Sequence, residues 1–183
     1  MDMAAKRIVH FTGGRDGEWD VTSIHAVAGA TLLHCDRLAV TDTLSESDAI
    51  WSLAGAISNL RYTTSAERAG LQAKQSGLGR TEARRAALIP ISKSAAWWAM
   101  AQDERLAIYA RSQHTAIGMD YLPAVARRLH HSRDLEEPFD FLTWFEFAAE
   151  DEPQFDHMLV RLRASEEWTY VEREVDIRLT RTH

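Results

Sequence analysis

The segment FDFLTWFEFA, residues 139–148, is apolar on both sides of a strand. Phe139, Phe141, Phe145 and Phe147 fall on one face, and Leu142 and Trp144 on the other, because successive strand side chains alternate. A sheet that contains such a strand needs cover on both faces. The neighbouring segments say what the cover is. Residues 86–91 form a short apolar run with Pro90, which reads as a strand near an edge. Residues 94–117 read as a helix, in which Ala107, Ala110, His114 and Ile117 recur at steps of three and four. In residues 121–131 Val125, Arg127 and Leu129 share one strand side, and Arg128 and His130 take the other. The run EDEPQF opens the next helix with acids and a proline, and Phe155, Met158, Leu159 and Leu162 form its apolar stripe. Residues 168–180 close the series as a strand with Val171, Val175, Ile177 and Leu179 inward. Strand, helix, strand, strand, helix, strand is the ferredoxin-like, split βαβ arrangement of an α+β protein.

The first half is less regular. Residues 8–12, 24–33, 37–40 and 58–64 read as strands, and Thr64 with Glu67 makes a capping box for a short helix ending before Gly77. Residues 74–85 are rich in glycine and charge and read as a linker. The expected organisation is a shortened ferredoxin-like half over residues 1–76 and a complete one over residues 86–183. A chain of 183 residues suits one domain, or two small halves sharing a core.

A formal net charge of −6 argues against a nucleic-acid surface, and no long Lys/Arg run offsets it. Any anion site in such a chain has to be compact and locally cationic. Cys35 is the single cysteine, so there is no internal disulfide and no thiolate metal cluster. The opening MDMAAKRIVHF does not read as a secretory signal, and no window approaches a membrane span. The expected location is the cytoplasm, or the periplasm if an export signal has been removed. Phosphate-binding glycine loops, a GxSxG elbow and a CxxCH haem-attachment site are all missing.

The chemistry concentrates between Leu88 and Arg128. LIPISKSAAWW places Lys93 and the Trp97–Trp98 pair just after an apolar run, and His114 lies in SQHTAIG. A histidine among eight is more often a core side chain satisfied by a hydrogen bond. On a rigid helix facing a large cavity it also meets the needs of haem iron, a neutral imidazole in fixed orientation. Arg127 between Val125 and Leu129 is either solvated like Arg128 or a donor fork kept dry for an anion. Lys93 reads as a surface lysine or as a partner for a propionate. Trp97 and Trp98 read as core and rim aromatics, or as porphyrin-edge packing. Asn59 and Tyr62, in SNLRYTT, are weaker candidates for the same task. Glu166 and Glu167 read, by themselves, as a solvated pair at a helix end. His130 and His131 do not make a good metal pair, since adjacent strand residues point apart. An inward histidine and arginine near two tryptophans point to a large flat ligand with an axial base, which is haem.

The motifs IPISKSAAWW, SQHTAIGMDYLPAVARRLHHS and DFLTWFEF, with the terminal helix and strand, resemble the chlorite dismutases. These are haem enzymes that split chlorite into chloride and dioxygen. The match covers about half of the chain, and the short amino-terminal part resembles the compact lineage whose members are dimers. The resemblance implies two ferredoxin-like halves closing into a β-barrel with helices outside, and non-covalent haem b on the C-terminal half. It implies His114 as the axial iron ligand, Glu167 orienting its imidazole, and Arg127 as the distal arginine. Lys93, Trp97, Asn59 and Tyr62 would contact the cofactor. The implied substrate is chlorite, with hypochlorite held by Arg127 until O–O bond formation. The same superfamily contains coproheme decarboxylases, which carry a glutamine at the distal position, and dye-peroxidising haem proteins. A non-haem dimerising module is the alternative outside the enzyme class.

Overall fold

The computed structural model describes residues 7–44, 48–57, 65–74 and 77–181. The strand expected at 58–64, its Asn59 and Tyr62, and the Thr64 of the capping box lie outside the described residues. Eight strands are present: β1 (Ile8–Gly14), β2 (Trp19–Ala28), β3 (Arg37–Thr41), β4 (Trp51–Ile57), β5 (Arg85–Lys93), β6 (Ala126–His131), β7 (Phe141–Phe147) and β8 (Val171–Arg181). They close into an antiparallel barrel in the order β1-β3-β2-β8-β5-β7-β6-β4. Read from β4, the first four strands stand in the order fourth, first, third, second. Read from β8, the last four stand in the same order. Two ferredoxin-like sheets thus share one closed barrel, which leaves no open sheet edge.

The halves differ in their crossovers. In the C-terminal half α2 (Ala95–Ala99), α3 (Gln102–Arg111) and α4 (His114–Asp120) join β5 to β6, and α5 (Glu152–Arg163) joins β7 to β8. In the N-terminal half four residues, Arg15 to Glu18, replace the first crossover. That shortcut depends on Gly17, whose φ is 146° and whose missing Cβ would meet the Leu38 backbone. Helix α1 (Ser65–Lys74) follows β4 instead of lying between strands of its half.

The two apolar faces of β7 are covered as its sequence demands. Leu142 and Trp144 point into the barrel with Phe11, Trp19, Leu38, Leu88 and Ile177. Phe145 and Phe147 point outward, where Ile117 of α4 and Phe155, Met158, Leu159 and Leu162 of α5 cover them. The α5 stripe is the expected one, and each such burial stabilises by roughly 2 kcal/mol. Pro153 in its first turn and Arg161 and Arg163 in its last suit the helix dipole.

Three local expectations change. The single helix over 94–117 is three short helices: Met100 is extended, and Gln113 sits in the left-handed region at φ 52°. Ala107 and Ala110 are therefore exposed, and the buried residue of α3 is Ile108. The strand over 121–131 begins only at Ala126. Phe139 precedes β7 and joins the interior cluster, whereas Val171 packs outside the barrel. Val171 changes side because the β5–β8 register shifts between Ser92 and Lys93.

His130 and His131 diverge as alternation requires. His131 packs on Phe141, while His130 is buried with Nδ1 donating to the Leu142 carbonyl at 3.0 Å. Burial pulls the His130 pKa down to about 4, and Arg128 and His131 add to this. A pKa lowered on folding means that the unfolded chain binds the extra proton. Stability is therefore complete above about pH 6.5 and lost as pH falls towards 4, by up to about 3 kcal/mol. His130→Gln should flatten that limb of a urea-denaturation series run between pH 4.5 and 6.5. An unchanged slope would assign the acid limb elsewhere.

Candidate functional site

The site lies outside the barrel, on the C-terminal half. Ala87, Ile89 and Ile91 face the outer cluster, so Lys93 emerges from β5 on that same side. Arg127 pairs with Phe145 across β6 and β7, which places it there too, whereas Arg128 pairs with the inward Trp144. The left-handed Gln113 ends the α3 region and restarts the chain as α4, with His114 as its first residue. Tertiary contact then gathers these groups from distant points in the chain.

His114 Nδ1 lies 2.7 Å from Glu167 Oε2. Lys93 Nζ lies 2.9 Å from Glu167 Oε1 and 3.4 Å from its carbonyl oxygen. The Glu167 N–H donates to Ser112 Oγ at 2.9 Å. Glu167 and Lys93 are both buried. Burial alone would raise the Glu167 pKa, but His114 and Lys93 outweigh it and hold the carboxyl at about 2. Burial also pulls the Lys93 pKa down, opposed by Glu167, Asp140 and Glu174. A carboxylate that accepts from Nδ1 fixes the imidazole tautomer with the proton on Nδ1, leaving Nε2 as the basic nitrogen. A nitrogen held in this way could serve as a donor to a metal centre.

Aromatic rings support the chain. His114 stacks on Tyr109 at 4.8 Å and 19°, and on Trp168 at 6.1 Å and 28°. Lys93 Nζ stands 4.4 Å from the centre of the Trp97 ring and 5.5 Å from that of Trp168. Trp97 is buried against Tyr170. Trp98 donates its indole N–H to Asp140 at 3.1 Å and lies beneath Arg133 at 3.7 Å. Asp140 also takes the Lys93 backbone N–H at 2.7 Å. Lys93 and Trp97 are thus brought to the site, where the lysine serves Glu167 and the tryptophan packs beneath the lysine.

Arg127 approaches from the sheet. Burial lowers its pKa and the Tyr109 phenol opposes this, though a guanidinium remains charged at any working pH. Burial raises the Tyr109 pKa in turn, with a hydrogen bond from Thr115 acting against it. Leu129, on the same side of β6, is 39% exposed. Gly118 follows His114 by one turn on the same helix face, and a Cβ there would fall onto the Arg127 guanidinium. The absent side chain is what lets the guanidinium lie against α4. Gly118→Ala is expected to cost about 1–3 kcal/mol through overpacking, read from the urea midpoint. A wild-type midpoint would mean that Arg127 swings aside freely.

Ser112, Tyr109, Trp168, Asp140 and Gly118 were not singled out from the sequence. Only Gly118, a glycine inside a helical pattern, carried a local signal. Among the described residues no cluster of three or more His, Cys, Asp or Glu side chains is arranged around an ion. No helix there is long and apolar enough to cross a membrane.

A closed barrel of two related halves, carrying a carboxylate-anchored histidine and a half-buried arginine on one outer face, defines an α+β barrel protein. Residues 6–183 match the profile of the chlorite dismutase family, and the chain belongs to that family. It is 54% identical to the dimeric chlorite dismutase of Nitrobacter winogradskyi, over 94% of this chain and 99% of that one, with a TM-score of 0.89. It is 33% identical over 102 residues to the chlorite dismutase of Ideonella dechloratans. That stretch takes in 55% of this chain and only 35% of the relative. A chlorite dismutase structure from Candidatus Nitrospira defluvii, 20% identical over 94% of this chain and 90% of that one, shares the fold at a TM-score of 0.68.

Proposed function

We infer that the protein binds haem b non-covalently with His114 Nε2 as axial ligand, and converts chlorite to chloride and dioxygen as a homodimer. The observation that carries this is the Lys93–Glu167–His114 chain, which leaves one committed and one available imidazole nitrogen. The donor set fits iron in a porphyrin: an imidazole whose Nδ1 is committed to a buried carboxylate and whose ring is held by stacked aromatic side chains. The dimeric relative from Nitrobacter winogradskyi supports the homodimer and the substrate.

When bound, haem supplies the iron at which the oxygen atoms of chlorite are transferred and joined. The protein's own groups do the remainder. Glu167 accepts from Nδ1 and keeps the His114 ring from turning. Lys93 holds Glu167 in place and offsets its buried charge. Trp97 packs under that ammonium. Arg127 offers a desolvated donor fork to a chlorine oxyanion, so a product of the first oxygen transfer is retained for the second. Both oxygen atoms then leave as dioxygen with chloride, and no proton or external electron is consumed.

The test is oxygen release on a Clark electrode when chlorite is added to haem-loaded protein. One dioxygen per chlorite supports the reading. Haem binding without oxygen would overturn the substrate, and a preparation that takes up no haem would overturn the cofactor.

A further inference from the structure

We propose that Glu174 is a positioning residue for His114, acting through the indole of Trp168. The inference rests on the haem reading above. Glu174 lies on β8 with no exposed surface, a costly place for a carboxylate unless a specific contact depends on it. Its Oε1 accepts from Arg163 Nε at 2.8 Å, and its Oε2 accepts the indole N–H of Trp168 at 2.8 Å. Trp168 has a single polar hydrogen, and Glu174 takes it, so the hydrogen bond pins the plane of the indole. That plane is the one stacked within 28° of the His114 ring. Charge acts as well. Arg163 pairs with both Glu174 and Asp176, and Asp176 has a second cation in Arg178. The Glu174 charge is also felt at Lys93.

Two carboxylates thus converge on one imidazole by different routes. Glu167 acts directly at Nδ1 and sets the tautomer. Glu174 acts through Trp168 and sets which way the ring faces, while its charge favours the oxidised iron. Helix α5, which supplies Arg163, is thereby tied to the His114 imidazole.

The test uses haem-loaded wild type, Glu174→Gln, Glu174→Leu and Trp168→Phe, with resonance Raman of the iron–histidine stretch and the iron midpoint potential as readouts. Glutamine can still accept the indole N–H, so Glu174→Gln should keep the wild-type stretch while its midpoint potential rises. Glu174→Leu and Trp168→Phe should shift or broaden the stretch alike, and Glu174→Leu should weaken haem binding about tenfold. A wild-type stretch and potential in both Glu174 variants would overturn the proposal. If the leucine variant does not fold, the stretch of Trp168→Phe decides, because that variant loses the same hydrogen bond, and a wild-type stretch there would overturn the proposal. A wild-type protein with no iron–histidine band would instead overturn the haem reading, and this inference with it.

Discussion

Glu167→Ala is expected to lower stability by about 3–5 kcal/mol and to strip the site of its haem, because it leaves the Lys93 ammonium buried without its carboxylate. The pKa of Glu167 gives an independent measure of the same loss. Held at about 2 against an ordinary 4.5, its ionised form contributes about 3 kcal/mol that is fully present above pH 4.5 and lost as pH falls towards 2. That window adjoins the one set by His130, so the loss of stability should run on from about pH 6.5 towards 2, with each variant removing its own part. Stability and function can be separated at this pair. Lys93→Met combined with Glu167→Leu removes both charges and should recover most of the stability in urea denaturation. It should not recover haem retention, because nothing then accepts from His114 Nδ1. Recovery of both properties would show that the pair serves packing alone.

Arg127→Ala is expected to shorten the working life of the enzyme at least as much as it lowers the initial rate. The guanidinium is the half-buried cation on the sheet side of the site, and a hypochlorite released from it is a strong oxidant of haem and aromatic rings. Loss of an electrostatic donor of this kind costs about a hundredfold in rate in other enzymes. Here we expect at least about a tenfold fall in turnovers before inactivation, from the same loss of a charge-assisted fork. A hypochlorite trap should lengthen the life of Arg127→Ala far more than that of wild type. Equal inactivation of the two proteins, with and without the trap, would exclude retention as the role of Arg127.

Much of the architecture was legible from local pattern. The doubly apolar β7 demanded cover on both faces, and the α5 stripe of Phe155, Met158, Leu159 and Leu162 supplied one of the covers. The ferredoxin-like order of the C-terminal half followed from element succession. Ala107 and Ala110 misled because their spacing with His114 assumed an unbroken helix, and no periodicity registers the left-handed Gln113 that ends it. The partner of Lys93 was not legible. A lysine at the start of a helix reads as a surface side chain or as a partner for a propionate, and its burial here depends on a carboxylate 74 residues away. Asn59 and Tyr62 stay proposals drawn from the family resemblance.

By itself the sequence determined which residues alternate, which recur, and where glycine and proline stop them. Those are properties of a few neighbouring positions, and steric and hydrophobic forces act on them locally. It thereby determined the α+β class and the strand side that Arg127 shares with Leu129. Only the tertiary structure decided that Glu167, of the two adjacent acids, is buried beside His114 across 53 residues. Only it decided that Lys93 neutralises that acid, and that Gly118 leaves room for Arg127. The physical reason is that a buried charge is tolerable only beside its partner, and which partner arrives depends on how the closed barrel brings distant segments together.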